Sequence, residues 1–183
     1  MKNIILNLAV SLDGFIEGPQ GEIDWCILDE EMDFEAFLNS VDTLFYGRIS
    51  YDLWGNYQPG DDGDAAEKKL WAEIHTKQKY VFSRQHRVDE NAVFITSDIL
   101  RQVTELKAQP GKDIWLYGGA DLVKTFIHHN LIDVYKISIH PVALGGGKPL
   151  FEALEKRVNL RLLDTRVFRS GVVELTYEPV RLS

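Results

Sequence analysis

Three pairs of residues in this chain are of the types needed to hold an anion: Gly118-Gly119, Gly47-Arg48 and Ser83-Arg84. Each closes a short apolar run, namely Trp115-Leu116-Tyr117, Leu44-Phe45-Tyr46 and Tyr80-Val81-Phe82. Without β-carbons, Gly118 and Gly119 accept unusual backbone angles and let a ligand approach the main chain. The helical pattern that follows, beginning Ala120-Asp121-Leu122, would aim its free N–H groups at an incoming anion. Arginine adds a planar, permanently charged donor suited to phosphate. In an open parallel sheet ligands bind outside the C-terminal strand ends, so three such junctions could converge on one edge. Each signal also has an ordinary explanation taken singly: a glycine pair serves tight packing, and an arginine after a strand is commonly only solvated. Tyr51, Trp54 and Tyr57 form an aromatic group that either lines a pocket for a flat substrate or belongs to the core.

The elements that must position these residues are those of an α/β fold. Ile4 to Val10 is an apolar run interrupted only by Asn7, as expected of a strand buried on both faces in a parallel sheet. Similar runs recur at 41–46, 80–83, 92–95 and 114–117. A first helix is predicted from near Asp29 through Phe34, Phe37 and Leu38, and a second after Asp64, which with Glu67 makes a variant capping box. Ser97 is the predicted cap of a third helix carrying Leu100, Val103 and Leu106 and stopping before Pro110-Gly111. Leu122, Val123, Phe126 and Ile127 give a fourth its buried stripe. Tyr135, Ile137 and Ile139 alternate with Lys136, Ser138 and His140, the pattern of a strand with one wetter face. Leu160 to Phe168 and Val172 to Tyr177, joined by Arg169-Ser170-Gly171, predict a closing antiparallel hairpin. The architecture expected is a mostly parallel sheet with antiparallel C-terminal edge strands and helices on both faces.

The 183 residues, 45% hydrophobic, suffice for one core and predict a single domain over 1–183. With 20 basic against 28 acidic residues the net charge is −8, which argues against nucleic acid or an anionic membrane as partner. The one cysteine, Cys26, precludes an internal disulfide and suits a reducing cytoplasm. Met1-Lys2-Asn3 leads straight into apolar sequence without the pattern of a signal peptide, and no run is long enough to span a bilayer. The five histidines lack H-E-x-x-H spacing, so no metal site is expected.

SLDGFI (Ser11 to Ile16), FYGRISYDLW (Phe45 to Trp54), VFSR, WLYGGADL and HPVALGGGKPLF (His140 to Phe151) follow one another in an order that resembles the dihydrofolate-reductase-like superfamily. The nearer resemblance is to the reductase (RibD C-terminal) domain of riboflavin biosynthesis and its stand-alone bacterial relatives, over Ile4 to about Tyr177. The resemblance implies a three-layer α/β sandwich, NADPH as cofactor, and hydride transfer to a C=N or C=O group of a small, pterin- or pyrimidine-like substrate. It implies that Ala9 and Ile16 flank the nicotinamide and that Gly47, Arg48 and Ser50 hold phosphates. Ser83 and Arg84 would meet the adenosine end, and Gly118, Gly119, Ala120, Asp121 and Leu122 would wrap the pyrophosphate. In relatives the Gly-Gly bond is cis. The ordinary G-x-G-x-x-G fingerprint is missing, as is the H-x-E and P-C-x-x-C pattern of a zinc deaminase.

Folate reductases carry an acidic residue on the first helix, a few positions after a tryptophan; here Trp25 is followed by Glu30 and Glu31. Either would donate a proton if burial beside Phe34 raised its pKa, or both are first-turn residues facing the helix dipole. Trp25, Phe34, Tyr51 and Trp54 are the expected substrate contacts. Where folate reductases follow Pro-Gly with a substrate-binding arginine, this chain has Pro59-Gly60-Asp61-Asp62, which reverses the charge and disfavours folate. A homodimer is implied by relatives. The alternative function is a non-catalytic nucleotide-binding protein of the same fold.

Overall fold

Each apolar run singled out above becomes a strand, as a computed structural model shows for residues 1–61 and 63–180, with Glu30 described by its backbone alone. In chain order the elements are β1 (Ile4–Ser11), β2 (Phe15–Glu17), α1 (Phe34–Ser40), β3 (Val41–Gly47), α2 (Arg48–Trp54), α3 (Ala65–His75), β4 (Gln78–Phe82), β5 (Val93–Ile95), α4 (Ile99–Ala108), β6 (Asp113–Gly118), α5 (Ala120–His128), β7 (Val134–His140), β8 (Lys148–Pro149), β9 (Leu160–Val167) and β10 (Val173–Pro179). Two compact units share them: Met1–Asn3 with Asp33–Gly119, and Ile4–Met32 with the described residues from Ala120 onward.

In the first unit β5, β4, β3 and β6 lie side by side in that order, all parallel. Leu44, Phe45 and Tyr46 on β3 and Leu116 on β6 are fully buried, as central parallel strands covered on both faces must be. Lys2 fastens the N-terminus to this unit, its Nζ donating to Asp42 Oδ1 at 2.7 Å. Asp64 caps α3 as expected, its carboxylate accepting the Glu67 amide at 2.7 Å.

In the second unit β1 and β7 are parallel, and β10 runs antiparallel to β7 and to β9. The expected closing hairpin is present, with a bulge: Thr176 faces Asp164 and Tyr177 faces Leu162, so Leu163 is the extra residue. Leu122, Val123, Phe126 and Ile127 are buried along α5, as their spacing requires.

Two helix starts and the exposure of one strand differ from expectation. The first helix does not run from Asp29, because Asp33 takes the left-handed conformation (φ 49°) and separates a 3-10 turn at Glu30–Met32 from α1. Asp33 also caps α1, accepting the Ala36 amide at 3.2 Å. Asp98 rather than Ser97 stands at the start of α4, without a side-chain cap; the Ser97 carbonyl instead accepts from Gln102 Nε2. The segment 48–54, whose start the resemblance places at a helix N-terminus, does form a helix, α2. The wetter face expected of β7 is not wet at its C-terminal half, where Ser138 and His140 are buried. Among the described residues no helix is long and apolar enough to cross a membrane.

Candidate active site

Parallel pairing puts three strand ends next to one another in the first unit. Gly47 on β3 stands beside Phe82 on β4, and Tyr46 beside Gly118 on β6, so the chain leaves the strands at Arg48, Ser83 and Gly119 in neighbouring positions. Gly47 precedes α2 without any side-chain cap, which leaves the first amides of that helix unclaimed by a side chain. A β-carbon at Gly119 would come within 3.6 Å of Gly47 Cα and 3.8 Å of Ser50 Cβ, so the glycine pair lies against the start of α2. At Gly118 a β-carbon would meet nothing within 4 Å. Both glycines have positive φ, 130° and 95°, and no cis peptide bond occurs among the described residues, so the cis bond of relatives is absent here.

Cationic side chains border this edge. Arg48 is half-exposed and donates to Asp52 Oδ2 at 3.0 Å, while Arg84 is exposed. Ser83 Oγ accepts the Gln85 amide at 3.0 Å. Arg87, which the sequence reading passed over, donates to Asp52 Oδ1 at 2.7 Å and to Asp89 Oδ2 at 3.0 Å. Its guanidinium carbon stands 4.6 Å from the centroid of Phe94 and 5.3 Å from that of Tyr51. Asp52 thus holds two arginines, one on each carboxylate oxygen.

Tyr51 does not line a pocket. It is 1% exposed and donates from its hydroxyl to Asp89 Oδ1 at 2.8 Å, and burial with the Asp89 carboxylate pushes its pKa up to about 12. Its expected role as a substrate contact gives way to a structural one, since no face of the ring is left for a ligand. Trp54 stacks on Trp71 with centroids 5.9 Å apart, and Phe34 packs against Phe37 and Trp115, both at 5.5 Å.

The second unit carries the remaining residues. On one face the register aligns Ala9, Ser138, Glu174 and Arg166 across four strands, with Ser11 beside His140 in the next row. Ile16 sits half-buried in β2. Ala120 and Leu122 are buried and Asp121 is exposed in the first turn of α5, so Ala120 and Leu122 turn their side chains to the core. Glu174 is 5% exposed and balanced by Lys136 at 3.3 Å and Arg166 at 3.8 Å.

Glu31 is exposed, not buried beside an aromatic ring. Its carboxylate lies 3.4 Å from Arg169 Nε and its carbonyl accepts from Arg166 Nη2. The desolvation required of a carboxyl proton donor is therefore missing at Glu31, and the Glu30 side chain lies outside the described residues, as does Asp62.

His140, read in the sequence as a plain strand residue, is 1% exposed at the end of β7. Its Nδ1 accepts the Ile27 amide at 3.2 Å, and an amide can only donate, so the proton of the neutral ring is on Nε2. Trp25 meets it edge-on with centroids 5.5 Å apart and donates its own N–H to the Glu22 carbonyl. Burial lowers the pKa of His140. Nearby in sequence to its strand partner Ser11, Asp13 accepts from Ser11 Oγ, Leu144 N and Gly145 N, which lower its pKa to about 2. Among the described residues no three His, Cys, Asp or Glu side chains are grouped to hold a metal ion.

The family described as the RibD C-terminal domain matches residues 2–174. The uncharacterized protein YyaP of Bacillus subtilis is 56% identical over 177 residues, covering 96% of this chain and 94% of that protein. A solved structure from Shewanella sp. PV-4, named as a candidate riboflavin biosynthesis protein, superposes with a TM-score of 0.77 at 25% identity, covering 99% of this chain and all of the other. Dihydrofolate reductase from Enterococcus faecalis, solved with NADP(H), matches with a TM-score of 0.67 at 16% identity, covering 97% and 96% of the two chains. The fold is dihydrofolate-reductase-like α/β, and reductases are among the structural neighbours.

Proposed function

Since the chain belongs to the RibD C-terminal domain family, we propose that it is an NADPH-dependent reductase delivering hydride to a C=N or C=O carbon of a small, pterin- or pyrimidine-like heterocycle. The observation that supports this most directly is the alignment of three strand ends, with Gly119 against the uncapped start of α2. A dinucleotide suits these residues: Gly118 leaves open space for close approach, and unclaimed amides and arginines offer donors to phosphate oxygens. On this reading the cofactor supplies the hydride, and the protein supplies positioning and electrostatics.

Gly47, Ser50 and the backbone of Gly118, Gly119, Ala120, Asp121 and Leu122 bind phosphate. Arg48, held in place by Asp52, meets the 2′-phosphate together with Arg84; Ser83 contacts the adenosine end, and Ala9 and Ile16 flank the nicotinamide. Protonation falls to Glu30 or Glu31, and the neutral His140 offers its Nε2–H as a hydrogen-bond donor that is not itself transferred. Asp61 is exposed where folate reductases carry their cationic clamp, so the substrate lacks a carboxylate at that place. The protein works in the cytoplasm as a homodimer, a state supported by edge strand β9, which exposes Leu162, Leu163 and Val167.

Titration with NADPH and with NADH, followed through tryptophan quenching at low salt, tests the cofactor. NADPH should bind the tighter, and Arg48→Ala should weaken it by roughly tenfold to a hundredfold, the worth of a charged hydrogen bond, with NADH little changed. Equal losses for both nucleotides would remove the 2′-phosphate assignment. With an acceptor in hand, Glu30→Gln and Glu31→Gln identify the proton donor as the one that lowers turnover while cofactor affinity holds, and His140→Asn tests the hydrogen-bonding role of the imidazole. The exposed Glu31, tied to Arg169, favours a second reading in which the protein binds the nucleotide without turnover. Under that reading none of the three changes anything but stability.

A further inference from the structure

At the C-terminal end of α5, opposite Gly119 and Ala120, the helix and the segment 153–158 enclose a cavity of about 310 Å³. Its wall carries Lys124, His128, His129, Lys156 and Arg157 against one carboxylate, Glu155. In a chain with 28 acidic and 20 basic residues this local balance is inverted. The one acid is already engaged, its Oε2 standing 3.2 Å from His128 Nδ1. Lys124, Lys156 and Arg157 have no ion-pair partner among the described residues. Three exposed, permanently charged residues therefore line a concave space with a single compensating carboxylate, and a concave wall concentrates the field of such charges.

The backbone around the cavity is fixed. Asn130 ends α5 in the left-handed conformation (φ 53°), its amide donating to the Ile127 carbonyl at 3.0 Å. Leu131 N donates to Phe126 O at 2.9 Å and His129 N to Thr125 O at 3.1 Å, so these terminal carbonyls, whose partial negative charge would oppose an anion, are occupied. The His129 ring stands edge-on to His128 with centroids 4.8 Å apart.

We propose that this cavity binds a compact polyphosphoryl anion, a chain of two or three phosphoryl groups free or borne by a small molecule. A single carboxylate would leave most of the cations unmatched. Adjacent phosphoryl groups present oxygens to the guanidinium fork of Arg157 and to both ammonium groups at once. The volume lies at the lower end of small-molecule pockets, which suits a short anion. A long nucleic-acid backbone would meet the net charge of −8 beyond the cavity and be repelled.

The test is a titration of the full chain with tripolyphosphate, pyrophosphate and sulfate at matched ionic strength, read by calorimetry and by backbone ¹H–¹⁵N spectra. The expected result is binding in the order tripolyphosphate, pyrophosphate, sulfate, with shifts at Lys124, His128, His129 and Arg157. Lys124→Gln with Arg157→Gln, both exposed positions, should weaken tripolyphosphate at least tenfold with unchanged circular dichroism. Glu155→Gln should tighten it severalfold. Three results overturn the proposal: sulfate binding as well as tripolyphosphate, an affinity untouched by the double substitution, or shifts confined to 47–50 and 118–122. The last would assign the anion to the phosphate residues of the reductase reading and leave that reading intact.

Discussion

Gly119 combines a positive φ of 95° with ordinary van der Waals clearance to Gly47 and Ser50. Alanine there would therefore be resisted by backbone strain more than by collision, at a cost of about 1–3 kcal/mol. Gly119→Ala should lower the unfolding free energy by that amount in urea titration and, by filling the cradle, weaken NADPH as well. Tyr46 poses the opposite case, since its fully buried hydroxyl has no hydrogen-bond partner among the described residues, and burial raises its pKa. An unsatisfied buried hydroxyl costs roughly 1–3 kcal/mol, so Tyr46→Phe should leave the protein at least as stable in urea titration. A loss of stability would reveal a partner for that hydroxyl. The arginines after strands and the glycine pair were legible in sequence because each follows an apolar run directly. His140 and Arg87 were not, because a histidine's burial and an arginine's ion pairs depend on segments far away in the chain, Ile27 for one and Asp52 for the other.

At the level of elements, Asp13 joins the turn after β1 to the glycine-rich stretch before β8. Besides its bonds to Leu144 and Gly145, the Leu12 amide donates to Val142 O at 2.7 Å and the Leu150 amide to Gly14 O at 2.9 Å. Asp13→Asn keeps the shape and removes the charge, and should speed hydrogen exchange at Leu144 and Gly145 by several-fold. The carboxyl titrates near 2 in the folded protein against about 3.9 unfolded, so its contribution is complete above about pH 4 and disappears as pH falls toward 2. The stability difference between wild type and Asp13→Asn should close over that interval; a constant difference would mean that the charge is not what holds the loop. Strands read well from sequence here because buried parallel strands are continuous apolar runs. Helix starts read well only where a local pattern fixes them. Asp64 and Glu67 did so, whereas Asp33 and Asp98 adopt left-handed backbone that no spacing rule announces. The Leu163 bulge was equally hidden, since pairing between two strands is a property of neither alone.

For the whole molecule, the chain passes between its two units three times, after Asn3, Met32 and Gly119, and neither unit is a continuous stretch of sequence. We propose that they form one cooperative domain over 1–183. Calorimetry should then give a single transition whose calorimetric and van't Hoff enthalpies agree, and two resolved transitions would divide the domain. The same threading bears on synthesis. Asn3 N donates to Asp113 Oδ1, 110 positions downstream, and β1 pairs with β7, so β1 is made long before that partner. At translation rates of about 5–20 residues per second, the Ile4-Ile5-Leu6 segment waits roughly 7 to 30 seconds for β7 to be synthesised through residue 140. An apolar strand that waits this long for its parallel partner is where a nascent-chain chaperone is expected to engage this protein.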